Sequence, residues 1–209
     1  MKGKQVKRAC EKKMKLKPCI EVPFADKLYE GYEVLEGRAI IANVSVDKVK
    51  DMMADFIGMY DEPLFFFLEL PGHLPEGLEE GFIDEIKKDV YYLDGLDQKN
   101  SLNILNEIGD VLCNDGLSSF GFGVLGGEDE IMFDHLNLVR FLGKDIKPYE
   151  VLLADYGIEK VNDLVTVNQA YDREHPGNFT RYEENGFSVF DIPETLEEYG
   201  MYLAEERDW

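Results

Sequence analysis

Apolar residues change their spacing between Arg38 and Tyr60, where a strand pattern gives way to a helix pattern. The segment Arg38–Val44 is β-branched and apolar, which predicts a strand. Ser45 follows as a candidate helix N-cap. The next apolar positions have the spacing of one helix face: Val46, Val49, Met53, Phe56, Ile57 and Tyr60.

A second strand pattern is almost continuously apolar. Leu64–Leu70 reads LFFFLEL between two prolines, which predicts a central strand covered on both faces. Pro71–Gly81 is rich in proline and glycine and is typical of a loop. Asp89–Leu93 then predicts a short aromatic strand that ends in a turn at Asp94–Gly95.

A second amphipathic helix is predicted next, and its expected end is a left-handed C-cap at Asn114–Asp115–Gly116. Its apolar face is formed by Ile104, Leu105, Ile108, Val111 and Leu112. We expect Asp134–His135 to form a tight turn between strands, and Gly157 to end a short helix. The predicted segments are strands at Ser118–Gly123, Glu130–Phe133 and Leu136–Phe141, and a helix at Pro148–Tyr156.

The pattern near the C-terminus predicts a hairpin and a final helix. Asn185–Gly186 precedes the run Phe187–Phe190 and is a strong hairpin signal. Asp191 then offers a helix cap, with Pro193 in the first turn and Glu194 at the capping-box position. The apolar face expected to dock on the core is Ile192, Leu196, Tyr199 and Leu203.

Together these elements indicate one α+β domain over residues 18–209, with a mixed, mainly antiparallel sheet and helices packed on it. Residues 1–17 are polar and basic, and we expect them to form a flexible tail. A chain of 209 residues can bury a core without a metal or a disulfide. The hydrophobic content of 44% argues against bulk disorder.

Charge is unevenly divided between the tail and the body. The chain has 22 basic and 43 acidic residues and a net charge of −21. Eight of the basic residues and one acid, Glu11, lie in residues 1–17, so the body has 14 basic and 42 acidic residues and a net charge of −28. A body this acidic repels nucleic acid and anionic membranes and attracts cationic partners.

Cysteine usage and the absence of targeting signals favour a reducing compartment. The three cysteines, Cys10, Cys19 and Cys113, form no CxxC pair. We expect Cys113, which lies among apolar residues, to be a buried structural thiol. No run approaches the ~20 apolar residues of a membrane helix, and no apolar stretch typical of a secretion signal follows the basic N-terminus. We therefore expect a cytoplasmic protein.

The segment Gly121–Gly126 matches the dinucleotide-binding pattern GxGxxG. No helix pattern follows it, and the three acids at Glu128–Glu130 would repel a pyrophosphate. We interpret the glycines as strand and turn positions, where a missing side chain lets an aromatic ring or another backbone approach closely. We expect no cofactor.

The densest group of ligand-type side chains is Glu128, Asp129, Glu130, Asp134 and His135. Their spacing does not match the calcium loop, and consecutive residues of an extended chain point to alternate sides. We therefore expect no metal, and consider a solvated acidic loop or a contact with a basic partner. The three histidines lie in no recognised nucleophile motif, so no catalytic residue is predicted.

Five stretches carry a resemblance to known proteins: LFFFLELP at Leu64–Pro71, DVYYLDGL at Asp89–Leu96, DGLSSFGFG at Asp115–Gly123, DEIM at Asp129–Met132 and GMYLAEER at Gly200–Arg207. Together they resemble uncharacterised bacterial proteins of the toxin-immunity type. The resemblance implies an inhibitor without a catalytic constellation, and it transfers no active residue to this chain.

Charge and resemblance together predict a non-enzymatic binding protein. We expect an immunity protein that neutralises a cationic toxin domain, such as a nuclease, by covering its basic surface. The alternatives are a hydrolase or transferase in which carboxylates meet His135 or Cys113 in a pocket, and a nucleic-acid mimic with acids at phosphate-like spacing. The residues expected to bind the partner are Glu76, Glu79, Glu80, Glu128, Asp129, Glu130 and Asp134.

Overall fold

The computed structural model describes residues 12–35, 38–61, 63–72 and 87–208. The helices are α1 (Val46–Gly58), α2 (Gln98–Asn114), α3 (Lys147–Asp155) and α4 (Ile192–Thr195). The strands are β1 (Ile20–Glu21), β2 (Gly31–Leu35), β3 (Ala39–Asn43), β4 (Leu64–Pro71), β5 (Lys87–Leu96), β6 (Ser119–Val124), β7 (Glu130–Phe133), β8 (Leu138–Leu142), β9 (Asn178–Phe179), β10 (Glu183–Glu184), β11 (Phe187–Ser188) and β12 (Tyr202–Asp208).

Eight strands form one sheet in the order β12-β5-β4-β6-β7-β8-β3-β2. Every neighbouring pair in this sheet is antiparallel. Two further antiparallel pairs, β1 with β9 and β10 with β11, lie outside it. The predicted α+β class with a mainly antiparallel sheet is confirmed, and β4 is an inner strand as expected. No described helix is long and apolar enough to cross a membrane.

The alternation of residues along β4 gives the sheet two different faces. Leu64, Phe66 and Leu68 are fully buried in the core that also contains the apolar faces of α1 and α2. Burying each of these side chains contributes about 2 kcal/mol. Phe65 and Phe67 point to the opposite side of the sheet, because successive strand residues alternate. We call this opposite side the outer face.

Glycines of β6 provide space for the aromatic residues of the outer face. A Cβ atom at Gly123 would lie 2.3 Å from the Phe65 ring, and one at Gly121 would lie 2.6 Å from the Phe67 ring. Both distances are below van der Waals contact, so only glycine fits under these rings. β6 ends at Val124 and Gly126 has a φ of 77° in the turn that follows, so the GxGxxG segment is a strand and a turn as predicted.

Part of the basic N-terminal segment belongs to the described residues. Residues 1–11 of the predicted tail lie outside them, but Lys12–Lys17 belongs to the fold. Met14 is buried, and the side chain of Lys17 is 1% exposed. The backbone N–H of Lys17 donates to Asn137 Oδ1 at 2.7 Å. The prediction that the tail extends to Lys17 is therefore wrong, because Lys17 is anchored beside the turn before β8.

Three local predictions differ from the structure. Ser45 precedes α1 as expected, but its Oγ accepts the backbone N–H of Lys15 at 3.0 Å instead of capping the helix. The pair Asp94–Gly95 does not end β5, which continues to Leu96 through a register shift. Asp115, after α2, is extended rather than left-handed, and its carboxylate accepts the N–H of Ser118 at 2.8 Å.

The C-terminal segment differs most from prediction. The hairpin turn is confirmed, with positive φ angles at Asn185 (53°) and Gly186 (82°). The helix that begins at Ile192 lasts one turn, and a 3₁₀ turn at Glu197–Tyr199 follows. Gly200, with φ of 99°, then reverses the chain into β12. Leu203 thus lies on an edge strand instead of a helix face.

Candidate functional site

Asp134, one of the predicted partner-binding acids, is used inside the fold. It is 3% exposed, and its Oδ1 accepts the backbone N–H groups of Leu136 and Leu138, each at 2.9 Å. Its Oδ2 accepts the Nε–H of Arg140 at 3.0 Å. This carboxylate therefore stabilises the turn between β7 and β8, and we do not retain it as a contact for a partner.

The neighbouring acids also have partners within the chain. Glu128 forms an exposed ion pair with Arg38. Asp129 accepts a hydrogen bond from the Tyr149 hydroxyl, and burial together with this bond raises the pKa of that phenol well above its usual range. Glu130 is partly buried on the outer face, where burial and the nearby Glu69 raise its pKa.

These acids do not converge on one point, so they offer no cage of oxygen ligands to a cation. Among the described residues, no group of three or more His, Cys, Asp or Glu side chains could hold a metal ion. The other predicted contacts, Glu76, Glu79 and Glu80, lie outside the described residues.

Neither Cys113 nor His135, the residues named for the hydrolase or transferase alternative, has an activated side chain. Burial raises the pKa of the Cys113 thiol to about 12, which keeps it protonated at neutral pH. Burial and the nearby cations, first Lys88, lower the pKa of His135 to about 3. Ser119 Oγ lies 3.5 Å from His135 Nδ1 and accepts the backbone N–H of His135 at 3.1 Å. The thiol is therefore not activated, and the imidazole is neutral.

A different surface stands out near the C-terminus because it lacks positive charge. Residues 183–206 contain no lysine, arginine or histidine. They contain eight acids, and all eight are exposed: Glu183, Glu184, Asp191, Glu194, Glu197, Glu198, Glu205 and Glu206. Such a run concentrates negative potential in one part of the chain.

The same segment exposes large apolar side chains. Tyr199 is 64% exposed, and Tyr202 and Leu203 are each 48% exposed. The chain is held in this shape by Ile192, Leu196 and Met201, which are buried in the core. Residues between these anchors must face outward, so the aromatic and acidic side chains are displayed by a well-packed segment.

An open groove lies between the one-turn helix α4 and strand β12. It is lined by Tyr91, Pro193, Glu194, Glu197, Met201, Tyr202 and Leu203. The Tyr202 hydroxyl donates to Asp94 Oδ2 at 2.8 Å, which fixes the ring at the rim and raises its pKa. We call Glu194, Glu197, Glu198, Tyr199, Tyr202 and Leu203 the C-terminal acidic surface.

The acids of this surface differ in their pairing. Glu205, which is not part of this surface, forms an ion pair with Arg207, and this ion pair lowers the pKa of the Glu205 carboxyl. Glu206 lies 3.5 Å from Lys87 Nζ. In contrast, Glu194, Glu197 and Glu198 form no ion pair with any described lysine, arginine or histidine. Within the described part of the chain, no cation neutralises their charge.

Sequence reasoning missed this surface because it treated Tyr199 and Leu203 as the inner face of a helix. The signal that could have identified it is the complete lack of basic residues over 183–206. Comparison of the chain with protein-family models, with curated proteins and with solved structures found no match.

Proposed function

We propose that the protein is a non-enzymatic binding protein that docks a cationic protein domain on its C-terminal acidic surface. The observation that carries this proposal is the exposure of Tyr199, Tyr202 and Leu203 beside glutamates without a described cationic partner. Acidity alone would suit any highly soluble protein. A surface that only keeps a protein soluble exposes few aromatic side chains, whereas a binding surface uses them as anchors.

The two kinds of side chain have different physical roles in such a complex. Glutamates at the surface attract a cationic partner over distance and raise the association rate. Tyrosines bury large areas with few rotatable bonds, and so contribute most of the lasting affinity. The net charge of −21 extends the attraction over the whole chain.

The partner class that we propose is a basic toxin domain, such as a nuclease, which would make this chain an immunity protein. The support is the resemblance of the five stretches described above and the sign of the charge. An inhibitor of this type covers a basic surface and requires no activated nucleophile or base, in line with the states of Cys113 and His135.

The experiment measures binding to a basic domain encoded by a neighbouring reading frame, using calorimetry with purified proteins. The test variant is Glu197→Lys with Glu198→Lys. The matched control is Glu107→Lys with Glu174→Lys, which changes net charge equally at exposed positions outside the C-terminal acidic surface. We expect the test variant to lose at least about 100-fold in affinity and the control at most about threefold.

Two results would contradict the proposal. Equal loss in both variants would mean that the effect comes from total charge and not from this surface. Absence of binding by the unsubstituted protein, with both proteins shown to be folded by circular dichroism, would remove the proposed partner.

A further inference from the structure

The two edge strands of the eight-stranded sheet, β2 and β12, differ in their backbone pairing with other described segments. At one edge, the N–H of Tyr32 in β2 donates to Glu159 O at 3.0 Å, and the N–H of Val161 donates to Tyr32 O at 2.9 Å. This segment pairs with β2 in a parallel bridge at Lys160. At the other edge, β12 pairs with β5, and no other described strand pairs with it.

An unpaired edge strand presents a row of N–H and C=O groups to which another chain can pair. Proteins usually block such edges with lysine, proline or a bulge. Strand β12 reads YLAEERD and contains neither lysine nor proline. It contains one bulge, the register shift between Leu203 and Glu205, which interrupts the edge at its start, and the residues from Glu205 onward pair regularly with β5.

The side chains of β12 define the chemistry of a matching strand. Glu205 and Glu206 are both exposed, and adjacent strand residues point to opposite faces. The edge therefore offers a carboxylate on each face of the sheet. Tyr202 and Leu203, which lie opposite Tyr92 and Tyr91 of β5, add apolar area on the two faces of this edge.

We propose that β12 accepts an extended, basic segment of the cationic partner as a ninth strand of the sheet. This inference rests on the proposed function, and it specifies how the partner is held. Main-chain hydrogen bonds to β12 would supply affinity, and lysine or arginine side chains on both faces of the added strand would compete with Arg207 and Lys87 for the exposed carboxylates of Glu205 and Glu206, since exposed ion pairs are weak. The apolar side chains of the segment would lie against Tyr202 and Leu203.

The test uses a short acetylated and amidated peptide in which pairs of lysines alternate with valines. The control peptide has the same side chains with every backbone amide N-methylated, so it keeps its charge but has no N–H to donate along either edge. We expect the control to bind at least about tenfold more weakly, because it loses several backbone hydrogen bonds. Hydrogen exchange should show new protection of β12 amides with the unmodified peptide and none in β2.

Only the peptide differs between the two measurements, so the fold of the protein is the same in both. Equal affinity of the two peptides would overturn strand addition while leaving charge-based docking in place. No binding of the unmodified peptide would also overturn strand addition. Absence of binding to the whole basic domain is a separate result, and it would overturn the proposed function.

Discussion

Lys17 Nζ lies 4.4 Å from the centroid of the Phe133 ring, in the interior of the protein. The ammonium group also donates to Ser118 O at 3.3 Å. Burial lowers the pKa of Lys17 to about 8, although the carboxylates of Asp115 and Asp134 oppose the shift. A lysine from the basic N-terminal segment is thus held in an environment that disfavours its charge.

This depressed pKa predicts that Lys17 makes stability rise with pH. Between pH 8 and its ordinary value near 10.5, the folded state has lost the proton while the unfolded state retains it. Because the unfolded state then binds more protons, the free energy of unfolding increases through this window, by about 3 kcal/mol. Urea unfolding at several pH values should show this contribution as the difference between the wild type and Lys17→Met.

The comparison with Lys17→Met is needed because other groups titrate in the same range. The pKa of Cys113 is raised, and its contribution to stability falls as pH rises. Because Lys17 is one of the charges that act on the Cys113 thiol, this contribution does not cancel between the two proteins, so both are compared in a Cys113→Ala background. An unchanged difference between pH 7.5 and pH 10 would contradict the buried position of the ammonium group.

The glycines beneath the aromatic rings give a second prediction. Gly123→Ala should lower the free energy of unfolding by about 1–3 kcal/mol, because the new Cβ would lie 2.3 Å from the Phe65 ring. Gly58→Ala is the matched control. No atom lies within 4 Å of a Cβ built at that helical position, so this change should be neutral or stabilising by up to about 1 kcal/mol.

A double variant separates ring contact from other effects. Phe65→Ala removes the ring that the new methyl group meets, so adding Gly123→Ala in that background should cost much less than in the wild type. Additive losses, measured by urea unfolding, would show that the cost has another source.

Asp134 gives a third prediction. Asp134→Ala should lower the free energy of unfolding by about 2–4 kcal/mol, since it leaves two buried N–H groups and Arg140 without their acceptor. Glu128→Ala, which removes an exposed ion pair, should change it by less than about 0.5 kcal/mol. A similar effect of both substitutions on thermal unfolding would contradict the structural role of Asp134.

The inner part of the fold could be predicted because local and long-range signals agree there. β4 is apolar at every inward position, and α1 repeats its apolar residues with helical spacing. The Asn185–Gly186 turn was predictable because its two residues favour positive φ angles. In such segments, the core and the local conformation require the same residues.

The conformation of the C-terminal segment could not be predicted because its pattern fits two structures. Ile192, Leu196, Tyr199 and Leu203 have helical spacing, yet Leu203 pairs with Tyr91 on β5. The deciding contact is long-range. After Gly200 the chain pairs with the edge of β5 instead of continuing as a helix. Lys17 was misjudged for a related reason, because burial of its charge depends on Phe133 and Ser118, far along the chain.

The last prediction separates the two roles proposed for the C-terminal acidic surface. Tyr199→Ala should weaken binding to the basic domain by at least about tenfold through faster dissociation, because an exposed aromatic anchor acts after encounter. Glu197→Gln with Glu198→Gln should instead slow association, and the deficit should shrink as salt is raised from 50 to 500 mM. Both variants should unfold within about 0.5 kcal/mol of the wild type, since all three side chains are exposed.

Surface plasmon resonance at several salt concentrations provides both rate constants. An association rate that is independent of salt in the wild type would contradict the role of the glutamates, whereas an unchanged dissociation rate in Tyr199→Ala would contradict that of the tyrosine.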